Sequence, residues 1–210
     1  DMVEWRADWF DGISDPERTR GVLERLRNTL GEIPLLFTFR TSGEGGEKEI
    51  DVPAYVSLNE SAARSGMADL VDVEAFTESG AAEKIIEEAH SAGVRVIASN
   101  HDFYKTPSRE EIISRLVKMQ DMGADIAKIA VMPQSRKDVL TLLAATEEMV
   151  SGHAQIPVIT MSMGALGAIS RVCGEVFGSA VTFGAVGRGS APGQLGAGEL
   201  GTVLSILHNR

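Results

Sequence analysis

Seven short apolar or alternating runs recur along the chain, at residues 2–8, 34–40, 70–76, 94–101, 126–132, 157–163 and 180–186. Between and after them lie stretches with helical spacing, at 16–30, 53–66, 81–92, 108–122, 135–150, 168–177 and 198–208. Runs of this length with period-two patterning form strands, and apolar residues three and four apart form helices. The punctuation agrees. Ser14-Asp15-Pro16-Glu17 and Thr106-Pro107-Ser108 carry helix-start chemistry, and Gly66, Gly93 and Gly123 fall where helices should end. Nothing in the chain has the composition of a linker. Strict alternation of strand and helix predicts an α/β domain over residues 1–210 built on a parallel sheet, either open and doubly wound or closed into a barrel.

The polar residues within the runs choose between these two. Glu4, Arg6 and Asp8 share one parity of the first run, with Val3, Trp5 and Ala7 on the other. The same split recurs for Thr38 and Arg40 against Phe37 and Phe39, for Asp72 and Glu74 against Val71 and Val73, and for Lys128 against Ile129 and Val131. Successive strand residues point to opposite faces, so one face is apolar and the other gathers charge toward its carboxyl end. An open sheet buried on both sides has no place for such a face. A (β/α)8 TIM barrel does, because its active site lies at the carboxyl ends of its strands. Seven runs are one short of eight. The expectation is therefore a barrel whose first strand and helix precede Asp1, the alternative being an amino terminus that closes the barrel irregularly.

Thirty acidic against 20 basic side chains give a formal charge of -10, which argues against a nucleic-acid partner or an anionic membrane surface. No apolar run approaches the length of a membrane span, and the amino end has no export-signal pattern. Cys173 is the only cysteine, so no intrachain disulfide forms and no cysteine pair can begin a metal site. These features suit a cytoplasmic protein.

Lys128 interrupts the apolar run I-A-K-I-A-V, where burying an ammonium ion is costly. Its strand lies at an edge of the sheet, or it sits at a wet strand end with its stem on apolar surface, or it is kept dry enough to act as a nucleophile. Asp72 and Glu74 could pair with Arg6 or Arg40 as a structural network, or serve chemistry directly. His101 ends a strand in S-N-H-D-F, where Asn100 and Asp102 could orient it. A metal held by His101, Asp72 and Glu74 is disfavoured by three arginines and a lysine predicted for the same cavity, so no metal is expected. G-E-G-G at 43–46 and G-R-G-S at 187–190 resemble anion-cradling loops but match no phosphate-binding fingerprint. A carbonyl compound bearing a carboxylate fits the charged set better. Arginines bind the carboxylate by paired hydrogen bonds and, by repelling positive charge, favour the neutral amine that attacks a ketone. The resulting imine is an electron sink, and a histidine is suited to moving the adjacent proton.

The ordered motifs E-W-R-A-D, F-T-F-R-T-S-G-E-G-G, D-V-E, S-N-H-D-F, K-I-A-V-M-P-Q, T-M-S-M, E-V-F-G-S and S-A-P-G-Q span nearly the whole chain. In this order and spacing they resemble the type I 3-dehydroquinate dehydratases, (β/α)8 barrels of the shikimate pathway that form homodimers and need no cofactor. The resemblance implies that 3-dehydroquinate is the substrate and that Lys128 forms an imine with its C3 ketone. By the same resemblance His101 is the general base and Glu44 its acidic partner. Arg171 matches the residue that grips the substrate carboxylate, and Glu4, Arg6 and Arg40 match those that position the ring. Met163 and Phe183 would line the ring pocket, and Ser190 and Gln194 lie on a closing loop flanked by Gly187 and Gly193. G-A-L-G at 164–167 lacks a lysine found in some members. The rival readings are a class I aldolase, which also uses a barrel lysine, and a truncated barrel that binds without turnover.

Overall fold

The computed structural model describes residues 1–78 and 80–208. By contact density the chain divides into two compact units, Asp1–Asn100 with Asp121–Asp125, and His101–Gln120 with Ile126–Arg210.

In the first unit, β1 (Val3–Arg6), β2 (Leu35–Thr38), β3 (Leu70–Glu74) and the first part of β4 (Arg95–Asp102) lie side by side and parallel in chain order. The connections are α1 (Pro16–Leu30), α2 (Val52–Arg64) and α3 (Ala81–Ser91). Local chemistry sets where these helices start. Asp15 accepts hydrogen bonds from the Glu17 and Arg18 amides, with Pro16 at the first helical position, and Asp51 caps α2 through the Ala54 amide. Gly66, Gly93 and Gly123 all take positive φ, as expected of helix ends.

Alternation along the strands divides the sheet into two faces, as the polar parity predicts. Leu35, Phe37, Phe39, Val71, Val73 and Val96 form one apolar core with Leu23 of α1, Tyr55 of α2 and Ile85 of α3. The registers Glu4↔Leu36, Arg6↔Thr38, Thr38↔Asp72 and Glu74↔Ser99 assemble the opposite face. That face is apolar at its amino end, through Leu36, Leu70 and Ile97, and polar at its carboxyl end.

In the second unit, β5 (Ile126–Val131) and β6 (Val158–Ser162) are parallel, with Lys128↔Ile159 and Ala130↔Met161 in register. The helices are α4 (Arg109–Asp121), α5 (Arg136–Gly152), α6 (Gly164–Cys173) and α7 (Ala197–His208), α4 ending in the first unit's Asp121. A reciprocal capping box at Ser135 and Asp138 opens α5. Thr160, on the face of β6 opposite Ile159 and Met161, bonds to Thr146 of α5 at 2.6 Å. Among the described residues no helix is long and apolar enough to cross a membrane.

Three sequence expectations are revised. The run at 180–186 forms no regular strand; Ala185 makes an isolated bridge to Gly196 and the rest is irregular, so the described residues contain six strands. A tract as rich in glycine and polar residues as 178–196 has too few side chains to cover a paired strand. The first strand ends at Arg6 rather than Asp8, because a short 3-10 turn, Ala7–Trp9, takes over. The helix expected at 168–177 begins earlier, at Gly164, and tightens into a 3-10 turn over Gly174–Phe177.

One hydrogen bond connects the helical layer to the polar face. The Glu74 amide donates to the hydroxyl of Tyr55, which is 2% exposed, at 2.9 Å, and the Tyr55 ring packs edge-on against Phe39. Tyr55→Phe is expected to leave a buried N–H without its acceptor and to lower stability by about 1–3 kcal/mol, measured by urea unfolding.

Candidate active site

The polar face of the first unit centres on Arg40, which follows β2 and is 3% exposed. Its guanidinium donates to Asp72 Oδ1 at 2.6 Å, to Glu74 Oε1 at 3.1 Å and to Ser99 Oγ at 3.0 Å, and Ser99 donates in turn to Asp72 at 2.6 Å. Glu74 also accepts from the Thr41 amide and hydroxyl, both at 2.8 Å. Asp72 and Glu74 therefore pair with Arg40. Arg6, the other partner considered, makes a two-bond pair with Asp8 at 2.8 Å and 2.8 Å. Glu4 accepts from Thr38 Oγ1 at 2.8 Å on the same face.

Glu44 sits in a short 3-10 turn, Ser42–Glu44, with a carboxylate oxygen 3.6 Å from Arg40 and the other accepting from Asn100 Nδ2 at 2.9 Å. The turn can fold so tightly only because position 46 is glycine: a Cβ there would lie 1.9 Å from the Arg40 carbonyl oxygen. G-E-G-G is thus a device for seating Glu44 beside Arg40. Among the described residues, Asp72, Glu74 and Glu44 all lie within 4 Å of the Arg40 guanidinium. Burial pushes the Glu44 carboxyl up, Arg40 opposes this, and Glu74 and Asp72 add to the rise, the net effect moving it from 4.5 to about 8. Arg40 is subject to the reverse pull. Burial alone would lower its guanidinium, but Asp72, then Glu74 and Glu44, push it up.

The second unit carries the nucleophile candidate. Lys128 lies within β5 and is 4% exposed, with Nζ 4.6 Å from the ring centroid of Phe183. This rules out the wet strand-end alternative. His101 lies in β4, partly buried, directly after Asn100. Met163 is buried and its amide donates to the Val131 carbonyl at the carboxyl end of β5. Arg171, on α6, is 2% exposed; it donates to Met161 Sδ at 3.5 Å and to the Pro192 carbonyl at 3.3 Å. Its Nε is buried without a hydrogen-bond partner among the described residues, and burial lowers its pKa. A dry guanidinium with only a thioether and a carbonyl against it is suited to a carboxylate. Ser190 and Gln194 bind one another, the serine amide and hydroxyl donating to Gln194 Oε1 at 2.7 Å and 3.1 Å.

Thr41, Ser99 and Tyr55 support these side chains and were not singled out from the sequence, whereas Asp8 was noted there for its parity with Glu4 and Arg6. Met161, which by residue type reads as apolar wall, accepts from Arg171 and shares the parity of Ile159 in β6. Tyr55 gave no signal, since an aromatic residue in an amphipathic helix reads as core.

The profile of the Type I 3-dehydroquinase family matches residues 1–210. The 3-dehydroquinate dehydratase of Klebsiella pneumoniae (strain 342) is 54% identical over 207 residues, covering 99% of this chain and 82% of the relative. The chain belongs to the type I 3-dehydroquinase family. Among solved structures, the type I 3-dehydroquinate dehydratase of Clostridium difficile superposes with a TM-score of 0.96 at 52% identity, over 99% of this chain and 82% of that one. The 3-dehydroquinate dehydratase of Geobacillus kaustophilus gives 0.95 at 44% identity, over 100% and 82%. Membership decides between the dehydratase and the class I aldolase, and the chain is a hydro-lyase.

The raised Glu44 carboxyl has a consequence for stability. A carboxyl that holds its proton to about pH 8 when folded but only to about 4.5 when unfolded stabilises the fold fully below 4.5 and loses that contribution as pH rises through 8. Glu44→Gln is expected to flatten the fall in unfolding free energy between pH 5 and 8.5, approximate bounds set by that linkage and measured by chemical denaturation.

Proposed function

We propose that Lys128 is the imine-forming nucleophile, His101 the proton-transfer residue and Glu44 its acidic partner in the dehydration of 3-dehydroquinate. The reaction follows from the family: 3-dehydroquinate loses water to give 3-dehydroshikimate, a step of the shikimate pathway. The burial of Lys128 in the middle of an apolar strand carries the assignment of roles. Held nearly dry within β5, with the Phe183 ring 4.6 Å from its Nζ, the amine is rigidly placed for attack. The solved Clostridium difficile relative contains covalently modified comenic acid, which is in keeping with covalent chemistry in this family.

The steps balance as follows. Lys128 Nζ adds to the C3 carbonyl, and loss of water gives the protonated imine. His101 takes a proton from C2, and the electron pair flows into the imine as an enamine. Return of the electrons expels the C1 hydroxyl, which leaves as water with the proton His101 has gained. Hydrolysis of the conjugated imine consumes one water, restores the amine and releases the product. Only one water is lost overall.

Arg171 is assigned to the substrate carboxylate, on the strength of its dry guanidinium and unpartnered Nε. Glu4, Arg6 and Arg40 are assigned to positioning the ring and its hydroxyls, Met163 and Phe183 to lining the pocket, and Ser190 and Gln194 to the closing loop. Glu44 brings a carboxyl that stays protonated through neutral pH, next to Asn100 and so one residue from His101 in sequence. We also infer that the strand and helix alternation is that of a (β/α)8 barrel and that the chain works as a homodimer.

Incubation with 3-dehydroquinate and borohydride, followed by peptide mapping, should place a reduced adduct on Lys128. Lys128→Ala should lose that adduct and lower kcat by roughly 10⁴-fold or more, the scale seen when a covalent nucleophile is removed. A folded wild-type sample with no adduct would sink the imine assignment. His101→Ala should still form some adduct while losing about 10²–10⁴-fold in kcat.

A further inference from the structure

We propose that Asp8 is a positioning residue for substrate binding, setting the plane of the Arg6 guanidinium and tying it to the segment that follows Glu44. The inference rests on the assignment of Arg6 to the substrate. Asp8 lies just beyond β1, in the 3-10 turn Ala7–Trp9, and its side chain is completely buried. Each carboxylate oxygen takes one guanidinium N–H and one backbone N–H. Oδ1 accepts from Arg6 Nε at 2.8 Å and from the Arg40 amide at 3.4 Å; Oδ2 accepts from Arg6 Nη2 at 2.8 Å and from the Glu47 amide at 3.1 Å. The Asp8 carbonyl also accepts from Lys48 Nζ at 2.6 Å.

This arrangement does more than neutralise a charge. An arginine at a strand end has several rotatable bonds, and a single hydrogen bond would leave its plane free to swing. Two parallel bonds on the Nε and Nη2 edge fix that plane. The carboxylate is fixed in turn by two amides from different segments, so the arginine inherits the geometry of the backbone at Arg40 and Glu47. Glu44 belongs to the same turn, and Gly46 brings that turn against the Arg40 carbonyl. Asp8 therefore links the Arg6 guanidinium to the segment that seats Glu44. A residue that only tied these segments together would affect stability without affecting binding in a manner dependent on Arg6.

Asp8→Asn is the direct test, since an amide keeps the shape but places a donor against donors. With the variant shown to be folded by its melting transition, KM for 3-dehydroquinate should rise about tenfold while kcat falls less than about threefold, the pattern of lost binding that is not specific to the transition state. The Arg6→Ala, Asp8→Asn double variant should have a KM within about twofold of Arg6→Ala alone, because residues acting through one another are not additive. A wild-type KM in Asp8→Asn, or additive effects in the double variant, would overturn the proposal. Should Asp8→Asn fail to fold, Arg6→Ala assayed with guanidinium chloride below denaturing concentration decides it: recovery of KM supports Asp8 as the holder of the cation, and no recovery overturns it. The Lys128 borohydride adduct reports separately on the imine assignment. Its absence from wild type would count against that chemistry, whereas the KM coupling of Asp8 to Arg6 is read from turnover on either account.

Discussion

The polar face of the first unit depends on the guanidinium of Arg40, a cation buried among Asp72, Glu74 and Ser99 with Glu44 beside it. Removing charges from water is expensive, and a buried pair repays the cost only when the geometry is good and the remaining hydrogen-bonding capacity is filled. Here it is filled from several directions: Asp72 by Ser99, and Glu74 by Thr41. Tyr55 adds a bond to the Glu74 backbone. Side chains from β3, from β4 and from the segment after β2 thereby hold each other in single orientations. Breaking one partner of such a cluster exposes the rest to an uncompensated charge, a loss of about 3–5 kcal/mol in comparable cases.

The burial of that cluster is chemically useful. Burial is the largest influence on the Glu44 carboxyl, and the charges of Glu74 and Asp72 add to it against the pull of Arg40 and the Asn100 hydrogen bond, so that it keeps its proton to about pH 8. Asp72 and Glu74 are held by direct bonds to Arg40. The buried network thus has two effects with one cause. It fixes the positions of strand-end side chains, and it supplies a neutral carboxyl at physiological pH.

The second unit solves a different electrostatic problem. Its Arg171 is held by a thioether and a carbonyl, and its Lys128 has the Phe183 ring beside the Nζ. Arg171 keeps a buried Nε without a hydrogen-bond partner among the described residues, whereas the Arg40 guanidinium is bonded to Asp72, Glu74 and Ser99. Asp8 and Arg6 lie between these cases, a buried carboxylate whose partner is only partly covered.

Much of this was legible in the residues themselves. The alternation of runs determined an α/β chain with parallel strands, and polar parity determined which side of each strand carries charge, because a strand's side chains alternate whatever surrounds it. Glu4, Arg40, Asp72, Glu74 and Lys128 were identified on that basis, and the ordered motifs pointed to the family. Partner choice was not legible. Whether Arg40 or Arg6 would take Asp72 and Glu74 depends on strand register, and the role of Tyr55 depends on where α2 packs; both are distances between residues remote in sequence. The run at 180–186 looked like a strand because local composition cannot show whether a neighbour will pair with it. Sequence alone determined the kinds of groups present and the faces they occupy, since those follow from local periodicity. Tertiary structure alone decided which charges meet, how dry they become and which carboxyl holds a proton, since these depend on burial and on separations that no local pattern encodes.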